Sequence, residues 1–197
     1  MAPPFRQHVD EEILDRAAAL FAQHGFAQTS LKALADAVGL SKAGLLHHFP
    51  SKEALYLAAR ESGHALATQL LAQLEPMPPG QERDRRALEL LTDFALDRPG
   101  LVALEFHSHT AAPETFLVVE DREGIALAMF AVDPVNSPLD RVVRVSGALS
   151  AMAVLSLSAN RRGEKTAWRP HIIATSFDAL GHSRPDAHSS RPDQVEA

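Results

Sequence analysis

The chain has 197 residues, 46% hydrophobic and 22% charged, with no cysteine and a net charge of −6. This composition excludes a disordered or collagen-like polymer, and it removes thiolate nucleophiles, Cys-ligated zinc sites and disulfide frameworks. The length allows one or two domains with a real core. No run approaches roughly 18 consecutive apolar residues, and MAPPFRQHVDEE lacks a signal-peptide layout, so a cytoplasmic chain without a membrane partner is expected.

Charge is uneven along the chain. Residues 1–60 hold six Lys/Arg and six Asp/Glu, so the whole acidic excess lies in residues 61–197. Between Asp36 and Glu53 there is no carboxylate, while Lys42, Lys52, His47 and His48 fall within or beside that window. An acidic whole argues against an indiscriminate nucleic-acid coat and leaves room for a small local reading surface.

In chain order, Val9, Ile13, Leu14, Ala17, Ala18, Leu20 and Phe21 predict a helix over 9–24, because they recur at helical spacing. Gly25 is the expected C-terminal cap. Ser30 caps a short helix to about Val38, which Gly39 breaks. Ser41 caps a second short helix, KAGLLHHF, and Ser51 a long one to about Leu74. The linker MPPG (77–80) precedes helices predicted over 82–97, 100–111, 115–132, 139–159 and 164–180. Pro170 either kinks the last helix or delays its start. Residues 181–197 lack periodicity and read as a disordered tail.

SLKALADAVGLSKAGLLHHFPSKEAL (30–55) carries the sharpest signal. Two short helices joined by a tight turn at Gly39 have the helix-turn-helix layout. Ala43 and Gly44 are small enough to let the second helix approach a groove floor. Lys42 reaches a phosphate or a guanine edge from the same end. The N-termini capped by Ser41 and Ser51 offer N–H groups to phosphate oxygens.

The longer stretch ILDRAAALFAQHGFAQTSLKALADAVGLSKAGLLHHFPSKEAL resembles the N-terminal domain of TetR-family transcriptional regulators, over about residues 9–60. Gly25-Phe26, Thr29-Ser30, LADAVGLS and HHFPSKEAL all agree with the family pattern. The resemblance implies an all-α fold. Residues 1–50 would be a helix-turn-helix DNA-binding domain and 51–74 a connecting helix. Residues 75–180 would be a helical ligand-binding and dimerisation domain.

It further implies a homodimer on a palindromic operator of double-stranded DNA, released by an unidentified small-molecule effector. Ser30, Ser41, Lys42, Ala43, Gly44, His47, His48 and Lys52 fall on positions that face DNA in the family. Leu46 replaces a frequent tyrosine, so it loses a phosphate contact and either touches a thymine methyl or packs.

Phe94, Phe106, His107, His109, Phe116, Met129, Phe130, Arg144 and Met152 are candidates for the lining of an effector pocket; plain core is the competing reading. Leu149, Met152, Leu155, Trp168, Ile172 and Phe177 are candidates for the dimer interface, with intrachain core as the alternative. His47-His48 and His107-x-His109 have poor spacing for a shared ion on a helix, so no metal is expected, and no cofactor.

No Gly-rich phosphate loop, HExxH or nucleophile elbow occurs, and no catalytic residue is assigned. A ligand-responsive repressor is the leading reading. A helical adaptor that has lost DNA binding, and then a helical enzyme, are the alternatives.

Overall fold

Three serines start three helices in the first third of the chain. The hydroxyls of Ser30, Ser41 and Ser51 accept the N–H groups of Ala33, Gly44 and Ala54 at 3.1, 3.0 and 3.1 Å. Each bond satisfies an amide that a helix N-terminus would leave open. The helices they open are α2 (Leu31–Ala37), α3 (Lys42–His48) and α4 (Lys52–Leu74). Between α2 and α3, Gly39 takes a φ of 70°, which supplies the turn expected there.

Before them runs α1 (Pro4–Gln28), longer at both ends than the periodicity over 9–24 predicts. Gly25 does leave the helical conformation, at φ 74° and ψ 159°, but the backbone resumes a last turn, so the expected cap is a kink. The Thr29 hydroxyl donates to the Gly25 carbonyl at 2.7 Å and stitches that kink.

The computed structural model describes residues 4–110 and 123–182. After α4 come α5 (Gln81–Asp97), α6 (Pro99–Thr110), α7 (Glu123–Met129), α8 (Leu139–Arg162) and α9 (Lys165–Ala179). All regular elements among the described residues are helices, so the all-α expectation holds. Pro170 lies inside α9 and neither ends it nor postpones it beyond Lys165. The helix expected over 115–132 is seen as α7 alone; its first part, with Phe116, and the tail from 183 lie outside the described residues.

Two apolar cores organise these helices. The first joins Ile13, Ala17 and Phe21 of α1 to Leu34, Leu45 and Leu55, and takes in Leu101 and Leu104 from α6. Tyr56 meets the edges of Phe21 and Phe26, each with ring centroids 5.1 Å away. The second gathers Leu88 and Leu91 of α5, Met129 and Phe130, Val145 and Met152 of α8, and Ile172 and Phe177 of α9.

Helix α6 therefore stands with its N-terminal half in the first core. Its start is pressed onto α1: a Cβ at Gly100 would lie 1.8 Å from the Asp15 carbonyl oxygen, so only glycine fits. The Asp15 carboxylate accepts the Leu101 N–H at 3.0 Å. Arg98 pairs with Glu11 at 2.8 Å.

Arg83 is the main polar tie of the second half. Its buried guanidinium donates to the carbonyls of Leu74, Met77, Ala128 and Met129 at 2.7–3.0 Å. It thereby satisfies carbonyls at the C-terminal ends of both α4 and α7, where a cation also suits the helix dipoles. Beside it, the fully buried Asp84 carboxylate takes Arg141 on both oxygens, at 2.8 and 2.7 Å, and His182 at 2.6 Å.

α8 is the apolar helix that the sequence marks over 139–159, extended to Arg162. Polar residues break every long apolar run, yet the helix has 24 residues and a mean hydropathy of 1.6 over its most apolar window. By length and composition alone it could cross a membrane. In this fold it packs along α9, α5 and α6, with 33% of that window buried.

Candidate nucleic-acid interface

The surface expected to meet DNA is built from short helix ends. Leu45, completely buried, pins α3 to the first core and turns the opposite face outward. Ala43 and His47 lie on that face and are exposed, as are Ser41 and Lys42 at the helix start, with Gly44 half-buried beside them. The Ser41 hydroxyl lies 3.3 Å from where a Gly44 Cβ would sit, so the small residue also leaves room for the cap.

Ser30, Lys42, Leu46, Ser51 and Lys52 come together around one open concavity of about 530 Å³, with Thr29, Leu31, Pro50 and Glu53 completing its walls. Leu46 is half-buried there.

Two of the expected DNA-facing side chains are already engaged by the protein. The Lys52 ammonium donates to the Phe26 carbonyl at 2.8 Å and sits 4.3 Å from the centre of the Phe26 ring. His48 bonds through Nδ1 to the Asp10 carboxylate at 2.6 Å, with its side chain 17% exposed. His47, the next residue back, is exposed, and the two rings stand nearly perpendicular with centroids 6.0 Å apart.

The α4 N-terminus also carries its own carboxylate. Glu53 is held below its ordinary range first by its own backbone N–H and then by the Ser51 hydroxyl. The helix end expected to receive a phosphate thus already carries an anion of its own, a feature the capping pattern did not reveal.

The candidate pocket residues do not converge. Phe94 packs on the first core, whereas Met129, Phe130 and Met152 belong to the second. Phe106 is half-buried, and His107 and Arg144 are exposed. The His109 side chain and Phe116 lie outside the described residues. Phe130 and Arg144 do share an open concavity of about 470 Å³ with Asp84, Arg141 and His182.

Of the candidate interface residues, Met152, Ile172 and Phe177 are buried within the chain's own core, and Leu149, Leu155 and Trp168 are half-buried against it. Trp168 donates to Glu164 at 2.7 Å. The large apolar groups left facing outward on α8 are Leu139, Val143 and Val154, at 76%, 60% and 47% exposure. Sequence periodicity marked α8 as apolar but could not say which of its faces the chain itself would cover.

Comparison with known proteins agrees with this geometry. Residues 13–59 match the family model for bacterial regulatory proteins, tetR family. The HTH-type transcriptional regulator RutR of Escherichia coli K12 is 52% identical over 46 residues, which are 23% of this chain and 22% of RutR. The HTH-type transcriptional repressor AcnR of Corynebacterium efficiens is 41% identical over 58 residues, 29% of this chain and 31% of AcnR. The match thus spans under a third of either relative.

Over nearly the full length, the fold is similar to a TetR-like transcriptional regulator from Rhodococcus sp. RHA1. The TM-score is 0.54 and the identity 19%, covering 92% of this chain and 99% of that one.

Proposed function

From an N-terminal unit, residues 13–59, that is a domain of the tetR family of bacterial regulatory proteins, we propose that this chain is a cytoplasmic transcriptional regulator. In this reading it is a repressor that binds a palindromic operator as a homodimer. The observation that carries the reading is the exposed α3 face, with Ser41, Lys42, Ala43 and His47 in a carboxylate-free stretch, on a domain of that family. Residues 1–50 read DNA, 51–74 connect, and 75–180 hold the effector and the partner subunit.

Lys42 approaches a phosphate or a guanine edge, while Ala43 and Gly44 let the α3 backbone close on the groove. Lys52 and His48 act from behind, by fixing α4 and α3 to the first core. Few side chains on α3 read bases by hydrogen bonds, so DNA shape contributes much of the selectivity.

A twofold dimer has to place its two α3 helices about 34–36 Å apart. The outer face of α8, with Leu139, Val143 and Val154, is the surface that supports pairing with a second copy. An effector bound among residues 75–180 shifts the population away from the DNA-competent spacing, provided it binds the other state more tightly.

The test is fluorescence anisotropy with a labelled duplex from upstream of the chain's own gene. Saturable binding at low salt that weakens as salt rises is the expected result. No binding to any palindrome in that region would overturn the proposal.

A further inference from the structure

We propose that the turn between α8 and α9, residues 161–165, is a cationic surface that faces the phosphates at the centre of the operator. The inference rests on the reading of this chain as a dimeric DNA-binding regulator. It adds to that reading a second DNA-facing surface, outside the helix-turn-helix.

Arg161, Arg162 and Lys165 are exposed, in the part of the chain that carries the whole acidic excess. None of them pairs with a carboxylate among the described residues. Arg161 donates to the neighbouring Ser158 hydroxyl at 3.3 Å, and Arg162 lies 5.4 Å from the centre of the Trp168 ring. Glu164, the carboxylate of the turn, is taken by the Trp168 indole N–H at 2.7 Å. The two arginines suit the dipole at the end of α8. Lys165, in contrast, is the first residue of α9, where a helix repels a cation. The fold does not account for it.

Helix α5 shows where this turn lies. Near the start of α5, Asp84 binds Arg141 and His182, so α8 begins and α9 ends there. From Asp84 to Ala95 the helix rises about 17 Å. At that far end the Ala95 carbonyl accepts from Asn160 at 3.3 Å, and Asp93 holds Arg169 at 2.8 Å. The same end of α5 continues into Arg98 and Gly100, which rest on α1. Residues 161–165 are therefore on the helix-turn-helix side of the C-terminal helices.

Orientation adds to position. At about 3.6 residues per turn, Arg161 falls about five full turns after Val143 and on the same side of α8. It ends the exposed stripe of Leu139, Val143 and Val154. Two copies of α8 paired through that stripe, with both α3 helices on one duplex, run in the same direction along the twofold axis. Their basic turns then meet above the operator centre. Like charges brought together repel, and the duplex backbone supplies the opposite charge. A Debye length of about 10 Å at 0.1 M salt lets it act through intervening water. The turn thus opposes pairing of the free chain and favours pairing on DNA.

The test is the double variant Arg161→Gln, Lys165→Gln, which leaves Arg162 on Trp168. Sedimentation of the free chain and anisotropy titrations on the upstream duplex are run across a salt series. The two readouts should move in opposite directions. The free dimer should tighten by about twofold at low salt, the size of one like-charge pair roughly 10 Å apart in water. Operator binding should weaken by about tenfold or more, and its salt slope should fall by about two, one phosphate for each subunit. Arg161→Lys, which keeps the charge, should behave as wild type. If the double variant does not fold, Lys165→Ala decides on the same two measurements.

Unchanged operator affinity and slope, or dimer and operator binding weakened together, overturns the proposal. So does wild-type binding to phosphatidylserine vesicles that the double variant loses while it still binds the operator normally, which would assign the turn to a membrane surface. A wild-type chain that binds no duplex from its upstream region sinks the regulator reading itself, an outcome distinct from a variant that binds like wild type.

Discussion

Lys52 reaches back 26 residues to the carbonyl of Phe26 and lies over that residue's ring. Its cation therefore joins the start of α4 to the end of α1. It serves the fold before it serves any ligand.

This separates the two lysines of the interface. Lys52→Ala should lower stability by about 1–2 kcal/mol, through a lost charged hydrogen bond and a cation–π contact. Lys42→Ala, at an exposed position, should leave stability within about 0.5 kcal/mol. It should weaken DNA binding and reduce the salt slope by about one. Urea unfolding beside anisotropy titrations resolves the two effects; equal stability losses would contradict the assignment.

Arg83 should tolerate almost nothing. Arg83→Met removes a donor set that satisfies four carbonyls at two helix ends. Each acceptor stranded away from water costs about 1–3 kcal/mol, so the variant should lose more than about 3 kcal/mol or fail to fold. A thermal melt within a few degrees of wild type would show that water reaches those carbonyls.

Asp15 should give an inverted pH signature. Burial pushes its carboxyl above the ordinary value, while the amides of Leu101 and Gly100, and then Arg98, pull it partway back. A carboxyl with a raised folded pKa favours the folded state most below its unfolded value, near 3.8. That contribution fades as pH rises through the folded value. The stability difference between wild type and Asp15→Asn should therefore shift against wild type as pH climbs from below 4 and then level off. Urea unfolding of both proteins from pH 3.5 to 7 measures it, and a difference that moves the opposite way would refute the burial argument.

The outer face of α8 can be tested without knowing any ligand. Val143→Glu and Val154→Glu place a charge on exposed apolar positions, so each should leave the folded subunit intact. On the proposed pairing through this face, both should convert the dimer to monomers in sedimentation velocity and weaken operator binding by tenfold or more, about 1.4 kcal/mol. Sedimentation unchanged from wild type would move the pairing surface elsewhere.

What the sequence makes readable here is local. Ser30, Ser41 and Ser51 cap the helices they were expected to cap, because a cap is decided within three residues. Gly39 turns the chain for the same reason. The helices 82–97, 100–111, 139–159 and 164–180 appear within a few residues of their predicted limits, since apolar spacing fixes each one independently.

Long-range polar pairing left no such trace. Arg144, a candidate for the pocket lining, is exposed, and it is Arg141, three residues earlier and marked by no sequence signal, that binds the buried Asp84. His48 looked like a DNA contact from its position, but its partner is 38 residues away on α1. Phe94 and Phe130 seemed to belong to one cavity lining and instead fall in different cores. Each of these outcomes depends on how helices distant in the sequence cross, and periodicity carries no information on that.

The glycine at position 100 sets a tolerance for the whole assembly. With a single hydrogen between α6 and the backbone of α1, the two bodies meet like machined parts with no shim between them. Adding even one methyl group there would act as a spacer and, on the proposed function, re-aim α3 without altering any residue exposed on it. If the chain pairs on an operator as proposed, such a variant changes which half-site spacing fits best, an alteration of specificity that an inspection of α3 alone would never detect.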